Sequence, residues 1–182
     1  MRDWWRSGVA VCALVGLFSC SWSDEDSPRQ NTAALQEDLE LQASDFGCIK
    51  SWDKVRSFRI TNLLGHQEEA LAVAENPGSG PYPVGTVIQI VPVEAMVKRA
   101  PGFNPDAGDW EFFLLDASAT GTTITQRGPR DVVGPGGNCL NCHAKAEPKW
   151  DFICELDHGC DSIPVTDEFL QGLQDMDPRC AE

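Results

Sequence analysis

Basic residues are scarce in this chain: 14 Lys and Arg stand against 28 Asp and Glu, a net charge of −14 over 182 residues. Binding nucleic-acid phosphates needs clustered Lys and Arg, so that class of partner is excluded. The acidic surface reads first as a solubility device, with docking of a basic redox partner protein as the narrower alternative. Long hydrophobic runs are lacking too. The apolar stretch over residues 9–18 is too short to cross a bilayer as a helix. No internal repeat is visible, and histidine is limited to three residues.

The start of the chain has the layout of a processing signal, with Arg2 and Arg6 ahead of the apolar stretch. Leu17-Phe18-Ser19-Cys20 resembles the bacterial lipobox, in which a small residue precedes a cysteine that is lipidated and becomes the mature N-terminus. Phe18 is bulkier than that pattern usually carries, which leaves ordinary signal-peptidase cleavage as the alternative. The expectation is export to the periplasmic side of a bacterial membrane, touched only through lipid on Cys20. Residues 1–19 are the signal, 20–44 the lipidated cysteine and a flexible acidic tether, and 45–182 the folded domain. Cleavage leaves 12 basic against 27 acidic residues, a charge of −15.

Against this background stands Cys139-Leu140-Asn141-Cys142-His143. C-x-x-C-H spacing lets two thiols attach covalently to one haem while the following imidazole, His143, ligates its iron. The competing readings are a dithiol redox pair, half of a zinc site, or two cysteines of unrelated disulfides. Export agrees with haem c, which is assembled outside the cytoplasm, and with pairing of the other thiols. Of eight cysteines, Cys12 leaves with the signal, Cys20 takes lipid, and Cys139 and Cys142 take haem. Cys48, Cys154, Cys160 and Cys180 remain for two disulfides in any of three connectivities. Cys154 and Cys160 are near enough in sequence to close a small loop, and Cys48 with Cys180 would then join the ends of the domain.

Residues 65–75 carry strong helix formers and stop at Asn76-Pro77-Gly78. Residues 84–91 are rich in β-branched side chains and read as a strand. Strands are also predicted over 110–115 and 122–126, joined as an antiparallel hairpin. Residues 33–41 have weak helical periodicity, 52–62 fit helix or strand, 134–137 form a flexible approach to the haem motif, and Thr166 caps a final helix to Met176. The fold class is therefore α+β and β-dominated: an antiparallel sheet with a few helices packing around one covalent haem c. Small helical cytochromes carry their haem motif near the N-terminus, whereas here it lies in the last quarter.

Tyr82-Pro83-Val84-Gly85-Thr86-Val87, Glu94-Ala95-Met96-Val97-Lys98, Gly108-Asp109-Trp110-Glu111-Phe112-Phe113 and Cys139 to His143 follow one another as do motifs of the cytochrome P-460 family, which includes the β-sheet cytochromes c-prime. The resemblance covers about residues 48–160. It implies a β-sheet mono-haem domain, often a homodimer, whose five-coordinate iron binds nitric oxide or hydroxylamine on its open face. Hydroxylamine oxidases of the family cross-link a lysine to the haem three residues after the valine of the Gly-Thr-Val motif. Ile90 occupies that place here, which counts against hydroxylamine oxidation and favours the gas-binding side of the family, with redox activity towards nitrogen oxides (a hydroxylamine or nitrogen-oxide oxidoreductase) left open.

His143 is expected to bind iron as a neutral imidazole while its other ring nitrogen donates to a carbonyl or carboxylate. Phe58, Trp110, Phe112 and Phe113 are candidates for an apolar wall on the open face, with alternation putting only one of Phe112 and Phe113 on any given side. Trp150 and Phe152 are candidates to pack on the porphyrin. Lys145, Glu147, Lys149 and Asp151 stand near enough to the motif to meet its propionates. Lys98 reads as a solvated strand-end lysine. Met96, Met176, His66 and His158 are the side chains able to give a sixth ligand, which would convert the reading to electron transfer. A haem-free secreted module stapled by disulfides is the third reading.

Overall fold

The computed structural model describes residues 38–155, 158–162 and 164–180. The signal, the lipid site Cys20 and Cys12 lie outside the described residues, as does the first part of the helix expected over 33–41. Residues 38–41 of that helix are not helical. Among the described residues no helix is long and apolar enough to cross a membrane.

Six strands form one antiparallel sheet in sequence order: β1 (Asp53–Val55), β2 (Phe58–Asn62), β3 (Thr86–Val91), β4 (Glu94–Lys98), β5 (Trp110–Ser118) and β6 (Gly121–Gly128). The helix α1 (Gln67–Glu75) lies between β2 and β3 in sequence. A two-stranded pair, β7 (Val133–Gly134) and β8 (Gly137–Asn138), leads into a one-turn helix α2 (Cys139–His143), and α3 (Asp167–Asp175) comes last. The protein is thus β-dominated with few helices. Residues 52–62, open between helix and strand, resolve into the β1–β2 hairpin because Phe58 and Ile60 alternate onto one buried face. The strand expected from residue 84 begins at Thr86, since Val84 and Gly85 turn. Gly85 has φ +87°, and a Cβ there would meet the Leu64 side chain at 2.9 Å. The predicted hairpin is present and longer, with Ser118 paired to Gly121 across a two-residue turn.

Alternation along β5 divides the core in two. Trp110 and Phe112 join Phe58, Ile60, Ile88 and Met96 on one face, closed by Ala70 and Ala74 of α1 and by Val132 and Ile153. Phe113 and Leu115 face the other way, with Leu41, Phe46, Val87 and Val97. This second face also holds a charge network. Glu111 accepts from Arg99 and from Arg127, while Arg99 reaches Asp38 at 2.8 Å and the Leu39 carbonyl at 2.7 Å. That network corrects the domain boundary: residues 38–44, expected in the tether, belong to the folded body, and Leu41 is only 4% exposed.

The ends of the domain meet. Thr166 Oγ1 accepts from the Phe169 amide and caps α3. From α3 the Gln174 amide reaches the Ser57 and Ile90 carbonyls. Just beyond, Cys180 is joined to Cys48, and Asp177 accepts from the Ile49 amide and the Arg179 guanidinium. Burial alone would raise the Asp177 carboxyl, but Arg179 and the Ile49 amide outweigh it and hold it below its ordinary value. A depressed carboxyl contributes stability at neutral pH that is lost as pH falls through the folded-state value. Asp177→Asn strands a buried guanidinium and is expected to cost about 3 kcal/mol at neutral pH. In urea titrations the gap to the parent should begin to shrink below about pH 4, where the carboxyl of the unfolded chain starts to protonate, and should close as pH falls through the lower folded-state value.

Candidate haem attachment site

The cysteines at 139 and 142 are the two free thiols among the described residues; Cys48–Cys180 and Cys154–Cys160 are disulfides, one of the three open connectivities. Helix α2 starts because the Asn138 side chain accepts from the Asn141 amide at 2.9 Å. Spacings of three and four residues put Cys139, Cys142 and His143 on one side of its single turn. The Gly134-Pro135-Gly136-Gly137 approach is the turn of the β7–β8 pair, and the Cys139 amide is tied to the Val132 carbonyl at 3.1 Å. Cys139 and Leu140 pack against the first core face together with Ile90 and Leu114. Burial, and then the charge of Glu94, push the Cys139 thiol above its ordinary value.

His143 Nδ1 lies 2.7 Å from the Phe152 carbonyl. Desolvation lowers the imidazole pKa, against the opposing pull of that hydrogen bond, so the ring is neutral at physiological pH. A neutral ring that donates from Nδ1 keeps its lone pair on Nε2. Two free thiols and one such Nε2 on a single helical turn are the donor set that a haem c requires, and these residues fit that group.

The Phe152 carbonyl is held in an unusual backbone. Asp151 and Phe152 have φ of +48° and +65°, two successive non-glycine residues in the left-handed region. Several groups converge on them. Trp110 Nε1 donates to the Asp151 carbonyl at 2.8 Å, the Tyr82 amide donates to Asp151 Oδ2 at 2.8 Å, and Lys98 Nζ lies 2.7 Å from both Asp151 carboxylate oxygens. Lys98 also donates to the Gly108 carbonyl at 2.6 Å. At Gly108 itself a Cβ would lie 2.8 Å from the Phe152 ring and 2.9 Å from Asp151. Lys98 and Asp151 are 7% and 8% exposed, which corrects two expectations: Lys98 is not solvated, and Asp151 is committed inside the protein rather than free for a propionate.

The other expected residues separate. Phe112 stands beside the His143 ring, with centroids 5.3 Å apart, and Trp110 packs edge-on to Tyr82. Phe58 lies in the same core under the Arg56 guanidinium, whereas Phe113 is on the opposite sheet face against Phe46 and Arg127. Trp150 stacks on His158 at 4.1 Å, and Phe152 lies against Gly108, so it is the Phe152 carbonyl that reaches His143. His158, in the loop that the Cys154–Cys160 bridge closes, is 6% exposed with Nδ1 on the Ile153 carbonyl. Met96 is in the core opposite Phe112, Met176 is exposed beyond α3, and His66 precedes α1 beside Glu69. Lys145 pairs with Asp161, and Lys149 with Glu147.

Tyr82 and Gly108 belong to the site's support, and nothing local in the sequence marked that role. The hints were a Gly-Asp pair before a strand and a lysine at a strand end. No protein-family model, curated protein or solved structure matches this chain.

Proposed function

We propose that this is an exported mono-haem c-type protein: one haem on Cys139 and Cys142, His143 as the proximal iron ligand, and an open sixth position for nitric oxide or a related small nitrogen oxide. The carrying observation is that the two cysteines of the C-x-x-C-H turn stay free while the other described cysteines pair, and that His143 Nδ1 is engaged by a carbonyl. When bound, the haem supplies a redox-active iron with an axial position for a diatomic ligand. The protein's part is to attach it through two thiols, to present a neutral Nε2, and to back the imidazole with Phe112. Two disulfides support an oxidising compartment, in keeping with export and lipid attachment at Cys20.

A six-strand antiparallel sheet ahead of the haem motif supports the likeness to cytochrome P-460 and the β-sheet cytochromes c-prime, a likeness that carries the homodimer with it as an expectation only. Ile90 and the burial of Lys98 with Asp151 argue against a lysine cross-link and hence against hydroxylamine oxidation. Spectra of the purified exported protein decide the reading. A covalent haem, high-spin in both oxidation states and shifting with nitric oxide, is the expected result. Low-spin spectra would assign electron transfer with a sixth protein ligand, and no Soret band would leave a disulfide-stapled module without haem.

A further inference from the structure

Lys98 and Asp151 form a buried ion pair, and Asp151 is one residue from the carbonyl used by His143. The bond from Trp110 Nε1 to the Asp151 carbonyl occupies that acceptor. The next carbonyl along the chain, that of Phe152, is thereby the one turned to the imidazole. Two successive left-handed residues persist only where their surroundings over-determine them. Here the over-determination comes from β4 through Lys98, from β5 through Trp110, from the Tyr82 amide, and from the space left by Gly108. A bare structural role would not need charge at all, since an apolar pair fills a core at least as well as a buried ion pair.

We propose that Lys98 and Asp151 are positioning residues for His143. Their ion pair locks the left-handed turn at 151–152, so that the Phe152 carbonyl holds the Nδ1 proton and sets how strongly Nε2 donates to iron. This rests on the haem reading above. A firmly held Nδ1–H raises the basicity of the ligating nitrogen and stabilises the more highly charged ferric state. Loosening the turn weakens both.

Resonance Raman spectra and redox titrations of the haem-loaded protein test this. Lys98→Met and Asp151→Asn are expected to lower the iron–histidine stretching frequency of the ferrous form and to raise the reduction potential. Lys98→Arg, which keeps the charge, is expected to restore much of both. The double variant Lys98→Met/Asp151→Asn leaves no unpaired buried charge, and so supplies a folded sample should the single variants fail. Phe113→Leu, on the far face of the sheet, controls for general destabilisation: it should lower the melting temperature and leave the stretch unmoved. If the Lys98 and Asp151 variants behave like Phe113→Leu, the positioning role is overturned while the haem reading stands. If the parent protein carries no haem, both fall together.

Discussion

Cells expressing the Cys139→Ser/Cys142→Ser double variant are expected to yield a folded protein with no covalently attached tetrapyrrole, a complete loss of the added haem mass expected of the parent. The expectation follows from the separation of thiols in the fold. Cys48, Cys154, Cys160 and Cys180 are paired with one another, so removing the free pair leaves no disulfide partner stranded. Intact-mass measurement checks the outcome directly, and reduction of the variant should still reveal two disulfides. Retention of covalent haem by the double variant would overturn the assignment of these thiols. A second, quieter sign would come from the parent: Cys139 and Cys142 found joined to each other would remove the haem reading altogether.

Loss of the Cys48–Cys180 bridge should have the largest effect on stability. It spans 132 residues, and closing a loop of that length removes enough chain entropy from the unfolded state to stabilise the fold by about 5 kcal/mol. Cys48→Ala/Cys180→Ala is thus expected to lower the unfolding free energy by up to about that amount in guanidinium titrations. The bridge sits beside Asp177, Ile49 and Arg179, whose hydrogen bonds hold the same junction, so part of the native geometry survives the substitution. The Cys154–Cys160 bridge closes only a six-residue separation and should be worth about half as much by the same relation. Its loss should act locally, on the buried His158 and its stack with Trp150. Equal losses from the two bridges would show that chain entropy is not the governing factor.

Much of this protein was legible from its residues. The run 86–91, rich in β-branched residues, and the aromatic-rich run 110–115 carry their strand signal in residue type, which each segment holds within itself. The C-x-x-C-H spacing likewise needs one turn of chain and nothing else. Thr166 as a cap is a local hydrogen bond, and it is present as expected. Phe112 and Phe113 were known to face opposite ways, yet which of them meets His143 depends on where α2 returns to the sheet.

Lys98 shows why the remainder was hidden. A lysine at the end of a strand is solvated unless a distant carboxylate takes it inside, and Asp151 lies 53 residues further along the chain. The same holds for Leu41, whose carbonyl accepts from Arg127, and for the burial of His158 within its disulfide loop. Desolvating an ammonium is costly, so only a partner delivered by the whole fold makes it tolerable. By itself the sequence determined the strands at 86–91, 110–115 and 122–126, the Thr166 cap, the acidic charge and the spacing of the two thiols and the imidazole, because those depend on residue types and spacings within a few residues. The tertiary structure decided which cysteines pair, which aromatic ring backs His143 and which carbonyl receives its proton, because each requires segments far apart in the chain to meet.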